Sequence, residues 1–196
     1  MISKTILTTA IALVMSVPAL AATYKLDGSH AEVGFKVKHL MLMNVKGRFN
    51  KAEGSFDYDE KAKTVSKVDI KVDVASVDTN EKKRDEHLVS PDFFDAKKFP
   101  TIEFKADKVS GVESGKSFKM PGNLTMHGVT KPVTLDVEFR GTTTDPYGNE
   151  KVVFSANAKI KRSEFGVSWN KTLDKGGVAV SDEVMIEIEA ESNKAK

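Results

Sequence analysis

The sequence predicts an all-β fold built from about eight antiparallel strands. Two segments, 67–74 and 133–140, each alternate apolar and polar residues without an error over eight positions. Side chains of a strand point to opposite faces with a period of two, so each segment reads as a strand with one dry and one wet face. An amphipathic helix would space its apolar residues three and four apart, which these segments do not.

Similar alternation along the chain predicts strands at roughly 30–39, 45–57, 65–74, 101–109, 117–125, 131–141, 150–161 and 182–191. Turn signals at 111–115 and 145–149 provide short links, which favour antiparallel neighbours. Eight such strands with one apolar face form either a sandwich or a closed barrel. A barrel of this size is filled by its side chains or holds one small ligand.

Two long connections interrupt the strands. Residues 80–100, between the third and fourth strands, are rich in charge and helix formers and predict a short helical insertion, with a second turn that begins at Ser90-Pro91. Residues 162–181 carry Phe165 and Trp169, which we expect to plug one end of the fold or to contact a ligand. Long connections in a compact domain are often lids, plugs or binding loops.

The N-terminus predicts a secretory signal peptide over residues 1–21. Lys4 precedes the uncharged stretch 6–17, and small residues stand at Ala19 and Ala21. The alternative is a membrane anchor, but the apolar stretch is shorter than the roughly 20 residues that span a bilayer. Cleavage after Ala21 leaves one domain, 22–196, that does not span a membrane and that in a bacterium belongs in the periplasm.

Composition excludes several functional classes. The chain has no cysteine, so disulfides, thiol chemistry and a lipid-anchored N-terminus are excluded. Its formal charge is +2, and its lysines and glutamates are dispersed, so we expect no nucleic-acid partner. We also expect no cofactor.

The sequence contains no strong catalytic or metal-binding motif. The four histidines are His30, His39, His87 and His127. They lack close metal-ligand spacing, and the chain has no Gly-x-Ser-x-Gly elbow or glycine-rich phosphate loop. Arg84, Asp85 and His87 lie within one turn of the predicted helix, which predicts an intrahelical charge pair on a solvated or capping face. We therefore expect neither an enzyme nor a metal site; the alternative is an enzyme that uses cavity histidines on a lipid.

Four segments resemble the YceI-like family in matching order. They are 84–88 with its continuation to 104, 122–133, 29–31 with Phe35 and later 38–40, and 163–166. Asn123 departs from the acidic residue that is usual in the segment 122–133. The resemblance implies a lipocalin-like antiparallel barrel, periplasmic in many members. It also implies a long tunnel for a polyisoprenoid or similar amphiphile.

Together these observations predict a periplasmic carrier that holds a long-chain apolar lipid, such as a polyisoprenoid, an isoprenoid quinone or a fatty-acid-like amphiphile. The predicted lining is Val33, Phe35, Val37, Leu40, Phe49, Phe104, Met120, Val137, Phe154, Ile160 and Trp169. Met41, Met43 and Met126 are further candidates. The alternative is that these side chains simply fill a core. The sequence leaves homodimerisation open, through pooled cavities or through an exposed first or last strand edge.

Overall fold

A computed structural model describes residues 21–174 and 176–196. The predicted signal peptide lies outside the described residues apart from Ala21. The strands are β1 (Ala22–His39), β2 (Met43–Phe49), β3 (Ala52–Asp59), β4 (Thr64–Asp73), β5 (Val77–Asp78), β6 (Thr101–Ser110), β7 (Lys116–Met126), β8 (Val129–Thr144), β9 (Glu150–Lys161) and β10 (Val180–Lys194). The α-helix α1 spans Lys82–Leu88, and 3₁₀ turns span Val74–Ser76 and Arg162–Phe165.

The sheet closes on itself, because β10 pairs with β1 as well as with β9. One half of β1 pairs with β2 and the other half with β3, so β2 and β3 form one wall strand interrupted at Asn50-Lys51. Since β5 is a two-residue strand beside β2, the wall consists of eight antiparallel strands. The predicted all-β, eight-stranded antiparallel barrel with a short helical insertion is confirmed. The first and last strands, β1 and β10, pair with each other, so neither has the free edge that the sequence left open as a dimer contact.

The ends of some strands differ from the prediction, because backbone pairing with a neighbouring strand, rather than the hydrophobic pattern, defines where these strands begin and end. The first strand begins at Ala22 instead of residue 30, and Tyr24, which is 5% exposed, pairs with Phe56 of β3. The register of β1 against β10 shifts between Leu26 and Ala31, and this irregular stretch hides the alternation. The segment after α1 forms a hydrogen-bonded turn, with the Phe93 amide donating to the Ser90 carbonyl at 3.1 Å, rather than further helix.

Antiparallel order sends alternate connections to opposite ends of the barrel. The end called here the helical end carries the turn 40–42, the connection 74–100 with α1, the turn 127–128 and the connection 162–179. The opposite end, called the hairpin end, carries the links 60–63, 111–115 and 145–149. The two long connections that the sequence predicts to be functional therefore lie at the same end of the barrel.

The hairpin end is filled by aromatic side chains. Tyr24 stacks on Phe56 with ring centroids 5.8 Å apart, and Tyr58 packs against Phe139 at 5.2 Å. All four residues are buried in the main hydrophobic cluster. Within residues 21–174 and 176–196, no helix is long and apolar enough to cross a membrane.

Candidate functional site: an apolar cavity with a polar end

The barrel encloses a cavity of about 400 Å³, within the range typical of small-molecule sites. Every wall strand contributes inward side chains, including Val68, Ile70 and Val72 of β4. Ten of the predicted lining residues face the cavity: Val33, Phe35, Val37, Phe49, Phe104, Met120, Val137, Phe154, Ile160 and Trp169. The side chains therefore do not fill the interior, and the alternative of a fully packed core is wrong.

Leu40 is a correction to the predicted lining. It lies in the turn after β1, with a φ of 50° and 42% of its surface exposed, and it does not line the cavity. After its irregular stretch, the inward side chains of β1 stand at odd-numbered positions and end at His39, so strand alternation itself places Leu40 off the inward face. Met41 and Met43 are also exposed, whereas Met120 and Met126 line the cavity.

The polar side chains of the lining are confined to the helical end. They are His39, Thr79, Arg84, His87, Arg162 and the indole of Trp169. The rest of the lining is apolar, and among residues 21–174 and 176–196 no carboxylate or lysine lines the cavity. The cavity is therefore amphipathic along the barrel axis, with an apolar body and a polar end.

Thr79 organises the polar end. The Arg84 guanidinium donates from Nε to the Thr79 hydroxyl at 2.7 Å and from a terminal nitrogen to the Thr79 carbonyl at 2.8 Å. Asp85 accepts from the Thr79 amide at 2.9 Å and from its hydroxyl. The predicted intrahelical charge pair among Arg84, Asp85 and His87 is wrong for the described residues, since Arg84 and Asp85 both bind Thr79, which lies three residues before the helix.

His87 and Trp169, one from each long connection, pack against each other at the helical end of the cavity. The Trp169 ring lies 5.1 Å from both the His87 ring and the Phe93 ring. His87 Nε2 also lies 2.9 Å from a carboxylate oxygen of Asp92. Phe165 has another role: it is 1% exposed in a packed cluster and does not line the cavity. Of the two aromatic residues singled out in the sequence, only Trp169 faces the cavity.

Arg162 is buried and holds the second long connection by hydrogen bonds to backbone carbonyls. Its guanidinium donates to the carbonyls of Ser181 at 2.9 Å, Val167 at 3.0 Å and Trp169 at 2.9 Å. Burial lowers the pKa of Arg162, although an arginine remains charged in proteins. The side chain therefore fixes the loop that carries Trp169.

Thr79 and Arg162 are site residues that were not predicted from the sequence. Arg162 follows Ile160 by two positions, so the alternation of β9 already placed it on the inward face. Thr79 carries no comparable signal, because it lies outside the alternating segments and its role comes from partners on α1. Of the remaining histidines, His39 lines the cavity, whereas His30 and His127 do not.

A second polar cluster lies where β1 is irregular. Asp27, His30 and Glu191 bring potential metal-ligand atoms within 4.8 Å of one another. The Lys151 ammonium lies 2.9 Å from carboxylate oxygens of both Asp27 and Glu191, so a cation already occupies this cluster. Hydrogen bonds from Ser29 and from Lys151 hold the pKa of Asp27 far below its usual range.

This cluster predicts acid-sensitive stability. Because the pKa of Asp27 is lowered in the folded state, its contribution is complete above the unfolded value of about 4 and is lost as pH falls further. At pH 7 the Asp27→Asn variant should be less stable than wild type by about 1–3 kcal/mol. Urea denaturation at a series of pH values should show this gap closing below about pH 4.

The exposed Asp107 supplies the matched control, since its substitution by asparagine removes one carboxylate from a solvated position. We expect Asp107→Asn to change stability by less than about 0.5 kcal/mol. An Asp27→Asn gap that stays constant down to the most acidic folded condition would contradict the assignment.

Comparisons with known proteins agree with this architecture. The profile of the YceI-like domain matches residues 24–192. A UPF0312 protein of Vibrio vulnificus is 43% identical over 168 residues, which cover 84% of this chain and 88% of that protein. A UPF0312 protein of Serratia proteamaculans is 40% identical over 96% of this chain and 97% of its own length.

Solved structures show the same fold. The YceI protein of Campylobacter jejuni superposes with a TM-score of 0.69 at 38% identity and covers 81% of this chain and 90% of that chain. A polyisoprenoid binding domain from Saccharophagus degradans has a TM-score of 0.63 at 16% identity, over 90% of this chain and all of its own length. At that identity the second likeness concerns the fold alone.

Proposed function

Because this chain belongs to the YceI-like domain family, we propose that it is a carrier for a single long-chain apolar lipid held inside the barrel. The observation that carries the proposal is the cavity, whose polar side chains are restricted to one end. That arrangement complements an amphiphile with a long hydrocarbon chain and one small polar head. The resemblance of the sequence to the YceI-like family implies a polyisoprenoid or similar amphiphile, so we propose an isoprenoid as the chain.

Burial of the hydrocarbon accounts for the affinity without a charged clamp. Each methylene removed from water contributes about 0.8 kcal/mol, so ten buried carbons contribute about 8 kcal/mol before ordering costs. The ten apolar and aromatic residues predicted from the sequence would contact the chain. Isoprenoid quinones and fatty-acid-like amphiphiles satisfy the same requirements.

The head of the lipid would lie at the helical end. Arg84 uses one Nε hydrogen and one terminal hydrogen on Thr79, and its remaining guanidinium N–H groups would donate to the head. His39 and His87 add ring nitrogens nearby. An uncharged hydroxyl or carbonyl head, or an anionic one, could accept hydrogen bonds from this set.

The carrier would act in the periplasm after removal of residues 1–21. Strand β1 begins at Ala22, directly after the proposed cleavage position, so processing would leave the barrel wall intact. An apolar lipid in an aqueous compartment needs such an enclosure, because contact between its hydrocarbon chain and water is unfavourable in free energy.

Native mass spectrometry of protein purified from the periplasm tests the carrier function. We expect a co-purifying mass that corresponds to one long-chain lipid, together with an N-terminus at Ala22. Empty protein that also fails to take up a polyprenol added from ethanol would overturn the proposal.

The head position makes a separate prediction. Arg84→Met should weaken binding of a polyprenol severalfold, since the head loses a hydrogen-bond donor, and should leave binding of the hydrocarbon squalene nearly unchanged. Displacement of a fluorescent lipid measures both affinities. Lys83→Met, an exposed neighbour on α1, is the matched control and should alter neither. Equal losses for polyprenol and squalene would contradict a head site at Arg84.

A further inference from the structure

Four consecutive apolar residues at the helical end point into solvent. Leu40, Met41, Leu42 and Met43, called here the apolar tip, are exposed by 42%, 49%, 88% and 60%. Single exposed apolar residues are ordinary on protein surfaces. A run of four on one turn is not, and it marks a functional surface or an aggregation hazard.

The backbone of the tip makes this composition costly. Leu40 and Met41 have φ values of 50° and 60°, the left-handed region that glycine, asparagine and aspartate adopt most readily. The corresponding turn between β7 and β8 has His127 and Gly128 at such angles, with glycine where it is favoured. The tip instead places large apolar side chains there, although they gain little burial within the barrel.

Cations flank the tip. Lys38 and Lys46 lie on β1 and β2 just below it, and both are exposed. Lys171 is joined to it through the backbone, since Ala179 donates to the Lys171 carbonyl and Leu40 donates to the Ala179 carbonyl at 2.8 Å. Within the described parts of the chain, none of these three lysines is a member of an ion pair.

The tip lies beside the polar end of the cavity. His39 immediately precedes it and Val45 follows shortly after it, and both line the cavity. Val180, next to Ala179, is also a lining residue. A surface seated on the tip would therefore lie at the same end of the barrel as the proposed lipid head.

We propose that the apolar tip inserts into the interface of an anionic lipid bilayer, with Lys38, Lys46 and Lys171 contacting the lipid head groups. An apolar point surrounded by lysines fits such a bilayer, which offers acyl chains beneath negative charge. This inference rests on the proposed carrier function, because it supplies the place where the lipid enters or leaves the barrel. The tip then holds the helical end against the membrane during transfer.

Flotation of the mature protein with vesicles of phosphatidylethanolamine and phosphatidylglycerol tests the docking. The double variant L42E/M43E should lose at least about tenfold in vesicle affinity, since it replaces two inserting apolar side chains with anions. Tyr147 is 91% exposed at the opposite end, so Y147E is the matched control and should bind as wild type does. Wild-type binding should also weaken with added salt.

A second variant separates docking from folding. L40N/M41G places residues suited to left-handed angles in the turn, so its melting temperature should equal or exceed that of wild type while vesicle binding falls. Uptake of a polyprenol from ethanol, without vesicles, should be unchanged in both tip variants. That readout reports the cavity alone.

Three outcomes would overturn the docking proposal. One is a wild-type protein that does not float with the vesicles, another is L42E/M43E that binds vesicles as wild type does, and the third is Y147E that loses as much vesicle affinity as L42E/M43E. A concentration-dependent dimer that L42E/M43E converts to monomer, without vesicle binding, would assign the tip to a second copy instead. Failure of wild type to take up polyprenol from ethanol would refute the carrier function, whereas retained flotation in the same experiment would support docking.

Discussion

The Ala156→Phe variant is expected to lose at least about tenfold in affinity for a long-chain polyprenol, since its ring would occupy the space of several buried methylenes. Ala156 is 6% exposed, lines the cavity from β9, and pairs with Val137 on one side and Ile188 on the other. A larger side chain at this position can enter the cavity rather than displace the wall. The cost of overpacking should stay within about 1–3 kcal/mol, so the barrel should still fold.

Displacement of a fluorescent lipid and native mass spectrometry measure this loss. The adjacent Asn157 is exposed on the outer face of the same strand, so Asn157→Phe adds the same ring outside the cavity and should bind lipid as wild type does. Circular dichroism establishes that both variants retain the β-barrel. Undiminished lipid binding by a folded Ala156→Phe protein would show that the ligand does not lie in the barrel.

The largest effect on stability is expected at Arg162. Arg162→Leu should reduce the free energy of unfolding by about 3 kcal/mol or more, because it leaves several carbonyls of the 166–181 segment without their donor. The three shortest bonds, to Ser181, Val167 and Trp169, span 2.9–3.0 Å and join both ends of the connection. Arg162→Lys should also destabilise, since an ammonium cannot reproduce the planar guanidinium fork.

Urea denaturation followed by circular dichroism measures the change, and fluorescence of the single tryptophan, Trp169, reports the loop directly. Arg140→Ala is the matched control. Arg140 pairs with Glu189 at 2.9 Å on the surface, and an exposed pair contributes less than about 1 kcal/mol. Equal stability of the Arg162→Leu and Arg140→Ala proteins would contradict the role assigned to Arg162.

Strand alternation was the most informative feature of the sequence. Val68, Ile70 and Val72 of β4 face inward as their spacing predicts, and so do Val184 and Ile186 of β10. A period of two assigns every second residue to one face, so a correct phase at one position determines the whole strand. The same rule places Arg162 on the inward face, because it follows Ile160 by two positions. A charged side chain is not expected to line an apolar cavity, so the sequence did not single it out.

The ends of the elements were less predictable. Leu40 continues the apolar composition of β1 but leaves its geometry, because the chain turns there with a left-handed φ. Tyr24 precedes the recognisable alternation, yet it belongs to β1 through its pairing with β3 and β10. In both cases the partner strands decide where the regular structure begins and ends.

The helical insertion illustrates a second limit. The residues of α1 predicted a helix correctly, but the partners of Arg84 and Asp85 lie before the helix, at Thr79. Spacing on a helix identifies which side chains are neighbours along its surface. It does not identify which loop backbone the helix packs against.

The sequence by itself determined the all-β class, the inward face of the regularly alternating segments and the absence of thiols, since these follow from local periodicity and composition. The tertiary structure alone decided that the barrel closes through β1 and β10 and that a cavity of about 400 Å³ remains inside. It also gathered Thr79, Arg84, His87, Arg162 and Trp169 at one end. Cavity volume and the meeting of distant loops depend on how eight strands pack together, a property that no single segment encodes.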